Sequence, residues 1–127
     1  MTELLDTNVI LRFLVKDNEK QYQQAVVWFK EAEKGKREIE INSVIIAEAC
    51  FVLESFYKKT KKEISLSLEA FLSYKWLKVK ERETLLNLWP WYLQGFHFVD
   101  SYLLAFGKAN NEKILSFDKK LMKMAGK

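Results

Sequence analysis

The chain of 127 residues is 49% hydrophobic and 30% charged, with 21 basic and 17 acidic residues and a formal charge of +4 at pH 7. That size suits one domain, 1–127, with a real core. Its single cysteine excludes a disulfide framework or a Cys-based zinc site, and one proline and four glycines disfavour an all-β protein with many tight turns. The excess charge is concentrated. Lys108, Lys113, Lys119, Lys120, Lys123 and Lys127 face only Glu112 and Asp118 over the last twenty residues, and Lys58, Lys59, Lys61 and Lys62 form a second cluster. Such clusters suit a polyanionic partner, and they equally serve to solvate a helical surface. No apolar run approaches the roughly 18 residues of a membrane span. The opening MTELLDTN has two acids and no basic stretch, unlike a signal peptide. A cytoplasmic protein without membrane contact is expected.

In chain order, Glu3-Leu4-Leu5 reads as a short strand, and residues 8–15 carry Val9, Leu11, Phe13 and Leu14 at helical spacing. Residues 21–33 form an amphipathic helix with Tyr22, Ala25, Val26 and Phe29 on one face, ended by Gly35. Residues 37–41 alternate polar and apolar as a strand does. Ser43 is a candidate N-cap for an apolar helix from Val44 to about Tyr57. A helix over 63–74, a short strand over 76–79, and a helix over 81–93 interrupted by Pro90 follow. Residues 98–109 read as a helix, 113–117 as a strand and 119–124 as a last helix. Strands separated by helices imply right-handed crossovers and a parallel sheet. The expected architecture is α/β, helix-dominated and three-layered, with a short central sheet of four to five strands. Sites in such folds lie beyond the carboxyl ends of the strands.

Four acids stand among apolar residues. Asp6 follows Leu4-Leu5, and Asp118 follows Ile114-Leu115-Ser116-Phe117. Glu48 is the sole charge within Val44–Leu53, and Asp100 the sole charge within Phe98–Phe106. Singly, Asp6 and Asp118 suit helix N-caps, and Glu48 and Asp100 suit exposed helical stripes. Taken together, two acids that end strands and two that interrupt apolar helices point to convergence on one pocket. Converging carboxylates repel and require a cation. With oxygen donors alone, that cation is a hard one, Mg²⁺ or in its place Mn²⁺, which keeps several waters and suits a phosphate substrate.

These stretches resemble those of the PIN domain superfamily, and within it the VapC-type ribonuclease toxins. The resemblance rests on Asp6-Thr7-Asn8-Val9-Ile10-Leu11-Arg12-Phe13-Leu14, Ala47-Glu48-Ala49-Cys50-Phe51-Val52-Leu53, Phe98-Val99-Asp100-Ser101-Tyr102-Leu103-Leu104-Ala105 and Ser116-Phe117-Asp118-Lys119-Lys120-Leu121. Their order and spacing match over essentially the whole chain. The resemblance implies a Mg²⁺-dependent endoribonuclease, often dimeric, and often held inactive by a small antitoxin. It makes Asp6 and Asp100 the principal metal ligands, with Glu48 and Asp118 completing a catalytic set. Asn8 and Ser116 become hydrogen-bonding groups behind the acids. His97 departs from relatives that carry an acid before the Phe-x-Asp of the third motif.

With such a site, one carboxylate not committed to the metal, Glu48 or Asp118, would take the proton of an attacking water. Lys119, Lys120 and Lys123 would contact RNA phosphates. Tyr57, Trp89, Trp91 and Tyr92 suit base stacking if exposed, and packing in a core or interface otherwise. Trp89, Trp91, Tyr92 and Leu93, or the Phe51/Phe56/Tyr57 face, are expected to meet a second copy or an antitoxin helix. Cys50 reads as core. An aspartyl phosphatase is disfavoured because Asn8 replaces the second acid of Asp-x-Asp, and a receiver domain because the central acids lie on helices. The remaining alternative is a PIN-like module that binds RNA or protein without cutting.

Overall fold

The computed structural model describes all residues, 1–127. Three strands, β1 (Thr2–Leu4), β2 (Glu38–Ile41) and β3 (Leu77–Val79), form a parallel sheet in the order β1-β2-β3. Thr2 lies opposite Glu38, and Ile39 opposite Leu77. Leu5 N–H donates to the Glu40 carbonyl at 3.0 Å and Lys80 N–H to the Ile41 carbonyl at 3.1 Å, extending the ladder beyond each outer strand. The central strand is the buried one. Its Glu40 is 9% exposed and is compensated by Lys80 at 3.5 Å and Lys78 at 3.9 Å.

A pair of helices spans each crossover: α1 (Thr7–Val15) and α2 (Glu19–Glu33) before β2, then α3 (Ser43–Ser55) and α4 (Lys61–Leu72) before β3. α5 (Arg82–Asn87), α6 (Trp89–Leu93), α7 (Phe98–Asn110) and α8 (Lys119–Ala125) complete the chain. Most starts are set by short polar side chains that accept from the first turn: Asn18 from Gln21 N–H, Thr60 from Glu63 N–H in a reciprocal capping box, and Asn42 from Ile45 N–H. The cap of α3 is therefore Asn42, one residue before Ser43. The segment 81–93 forms two helices rather than one. Pro90 lacks a backbone N–H and is accommodated only in the first turn of a new helix, α6.

The expected strand over 113–117 is not part of the sheet, which has three strands and not four or five. Leu115 and Phe117 project into solvent at 96% and 107% exposure, while Ile114 and Ser116 are half-buried. The alternation is that of an extended segment, but its outward side chains have no layer to pack on.

The main core holds Ile10, Phe29, Ile41, Ile46, Leu53, Leu68, Phe71, Trp89 and Tyr92 among 23 buried residues. Phe96, Leu104 and Leu121 form a second small cluster that attaches α8 to α7. Gly107 in α7 lets the chain return closely after the helix. Glu112 N–H donates to its carbonyl at 2.8 Å, and a Cβ at this position would lie 2.8 Å from the Glu112 carbonyl oxygen. No helix is long and apolar enough to cross a membrane.

Candidate functional site

Each of the four acids sits where an ordinary local role is available. Asp6 lies two residues beyond β1 and caps α1, accepting from Asn8 N–H at 3.3 Å through Oδ2. Asp118 caps α8, accepting from Leu121 N–H at 2.9 Å through Oδ1. Glu48 lies on an exposed face of α3, and Asp100 is half-buried in the first turn of α7. None of the four has a cationic partner within ion-pair distance, unlike Glu3, Asp17, Glu31, Glu38, Glu40 and Glu54. Glu48 and Asp100 have no hydrogen-bond partner at all. Asp6 and Asp118 each keep one oxygen uncommitted.

The fold brings together the elements that carry these acids, since α3 packs against both α1 and α7, and α8 packs on α7. It does not bring the side chains into one tight cluster: no three Asp, Glu, His or Cys groups are close enough to hold a metal ion. The chemistry of the donors nevertheless fits a hard divalent ion, being all oxygen and uncompensated by any lysine or arginine. Beside Asp6, Thr7 is 3% exposed and its buried hydroxyl has no hydrogen-bond partner. A buried polar atom left unsatisfied by the chain is an additional donor for a bound ion or its water.

The neighbouring polar residues divide. Ser116 Oγ accepts from Asp118 N–H at 3.0 Å and so fixes the backbone that presents Asp118. The Asn8 side chain makes no bond to Asp6; only its backbone does. His97 precedes α7, exposed and without a capping bond.

A family model for the PIN domain matches residues 4–127. The chain belongs to the PIN domain family. No curated protein and no solved structure matches it. PIN domains are commonly nucleases and generally use divalent metals. In this PIN domain, Lys119, Lys120 and Lys123 are exposed along α8, with Lys120 Nζ 4.5 Å from the Phe96 ring centroid. Trp89 and Tyr92 are 2% and 0% exposed, so they are core and not stacking platforms. Trp91 is half-buried below Lys108. Phe51 and Phe56 stay exposed, at 66% and 72%.

Two polar networks of the PIN domain are not evident from the motifs. Tyr92 donates to Glu54 at 2.8 Å, and Lys61 lies 3.6 Å from Glu54 and 3.7 Å from the Tyr92 ring centroid. Burial, followed by the contact with Cys50, raises the Tyr92 phenol. Burial also pushes the Cys50 thiol up to about 11. In the second network, Arg12 donates to Gln21 at 2.8 Å and to Tyr57 at 2.8 Å, while Tyr57 donates to Asp17 at 2.7 Å. No sequence spacing signals it, since Tyr57 lies 45 residues from Arg12 and 40 from Asp17.

Proposed function

We propose that this PIN domain is a Mg²⁺-dependent endoribonuclease of the VapC type, the toxin of a type II toxin–antitoxin pair. The observation that carries the reading is the set Asp6, Glu48, Asp100 and Asp118: four acids within the stretches that carry the PIN resemblance, on elements that pack together, with no protein cation compensating any of them. Asp6 and Asp100 would hold the ion, which when bound supplies Lewis acidity toward a phosphodiester. Glu48, exposed and without a partner, would accept the proton of the attacking water, and Asp118, fixed by Ser116, is the other group able to do so. The lysines of α8 would hold the phosphate backbone.

The test is cleavage of single-stranded RNA by the purified chain. Cleavage that requires Mg²⁺ or Mn²⁺, is lost in EDTA and is lost in Asp100→Asn supports the assignment. RNA binding with no cleavage under any divalent ion selects the second reading, a non-catalytic RNA-binding PIN module. That reading has one observation in its favour, the absence of a tight three-acid cluster. For partners, the exposed Val44, Phe51 and Phe56 of α3 and its cap suit a second copy of the chain or an antitoxin helix.

A further inference from the structure

Between α1 and α2 lies a cavity of about 170 Å³ lined by Asn8, Val9, Arg12, Gln21, Gln24 and Trp28. None of these is acidic, and Asn8 is two residues from Asp6. Arg12 is held in place by Gln21, Tyr57 and, at 3.4 Å, the Asp17 carboxylate, yet its Nη2 has no protein partner. The Gln21 oxygen is taken by Arg12, which leaves its NH₂ free, while the side-chain amides of Gln24 and Asn8 engage no protein group. Trp28 is half-buried, and no other aromatic ring packs on it.

We propose that this cavity is a nucleobase subsite, and that it selects the base lying next to the scissile phosphate. The inference rests on the nuclease reading for its role and on the cavity's own chemistry for its ligand. A bare phosphate or carboxylate calls only for donors. Here two free amides each offer a donor and an acceptor, which is what the edge of a base presents. An indole flank supplies the apolar and stacking contact that unstacked bases take in single-stranded RNA. The volume admits one ring system rather than a folded peptide. Arg12, fixed by three neighbours and charge-paired with Asp17, adds a preorganised N–H donor through Nη2 for a ring acceptor. Asn8 is thereby a specificity residue instead of a support for Asp6.

The experiment is a titration of the ¹⁵N-labelled full chain, in EDTA, with each of the four ribonucleoside 5′-monophosphates and with ribose 5-phosphate, following side-chain amide and indole N–H signals. The expected result is saturable shifts at Gln24, Asn8 and Trp28 with one or two bases, none with ribose 5-phosphate, and binding about fivefold weaker or more in Trp28→Ala. Gln24→Leu, a change at an exposed position, should remove the preference between bases. No shift with any base, or equal shifts with ribose 5-phosphate, overturns the subsite. Because neither metal nor cleavage is involved, the titration succeeds or fails independently of the nuclease assignment. If RNA is cleaved, unchanged cut-site preference in Gln24→Leu likewise overturns it.

Discussion

Asp100 separates chemistry from architecture most cleanly. It makes no hydrogen bond, and its one structural contribution is a negative charge in the first turn of α7. Asp100→Asn should therefore change metal-free stability by no more than about 1 kcal/mol, the helix-dipole contribution. Mg²⁺ at a hundredfold excess over its dissociation constant should stabilise wild type by about 2.7 kcal/mol, and the variant much less. Thermal melts in EDTA and in Mg²⁺ check this; equal shifts for both proteins would remove Asp100 from the metal site. Cys50 gives a pH prediction. Burial raises its thiol from 9.0 to about 11, and Tyr102, half-buried and bonded to Glu81, rises to about 12. The folded state holds these protons longer than the unfolded chain, so their contribution is complete below about pH 9 and is lost as pH climbs through 11 and 12. Denaturant titrations should show stability falling in that window, and Cys50 should stay unreactive to thiol reagents in the native protein at pH 8.

At the scale of elements, caps and periodicity were readable and sheet membership was not. Gly35 and the apolar face of α4 are local signals, decided within a turn or two of chain; the cap of α3 reads one residue late from the sequence, at Ser43 instead of Asn42. Whether 113–117 joins the sheet is decided by what lies beside it, and alternation in Ile114–Phe117 carries no information about a neighbour. The acids illustrate the same limit: their isolation among apolar residues was visible, but Asp6 and Asp118 also cap helices, a use that composition cannot separate from catalysis. Trp89 and Tyr92 were ambiguous for a related reason, since an amphipathic ring suits a core and a base equally well. Two element-level tests follow. Gly107→Ala places a methyl against the Glu112 carbonyl and should loosen the approach to α8, lowering the melting temperature while Gly126→Ala, which meets nothing closer than 3.6 Å, has little effect. If α8 carries RNA, neutralising Lys119, Lys120 and Lys123 should weaken all sequences alike and reduce the salt slope by roughly 0.7 per lost contact. An unchanged slope would leave these lysines solvating the helix.

For the whole molecule, the exposed Phe51 and Phe56 are more apolar surface than a solitary chain needs. If they join two copies, Phe51→Glu should shift sedimentation from dimer toward monomer without lowering the melting temperature of the monomer. Identical profiles for both proteins would leave that face to another partner. The architecture was legible in outline because helix pairs alternate with short strands as far as Val79, so a parallel α/β arrangement with helices dominant follows from order alone. The relative placement of side chains from α1, α3, α7 and α8 depends on helix packing angles that no local pattern encodes. The crossover topology has one more consequence, for synthesis. No strand here can pair with a sequence-adjacent partner through a hairpin; β1 waits for β2, and β2 for β3, across two helices each time. Asp6 and Glu48 leave the ribosome early, Asp100 and Asp118 last. A chain interrupted before α7 contains only half of the acids, so on the proposed nuclease reading an abortive translation product would lack the complete site and would leave the RNA of the ribosome making it intact.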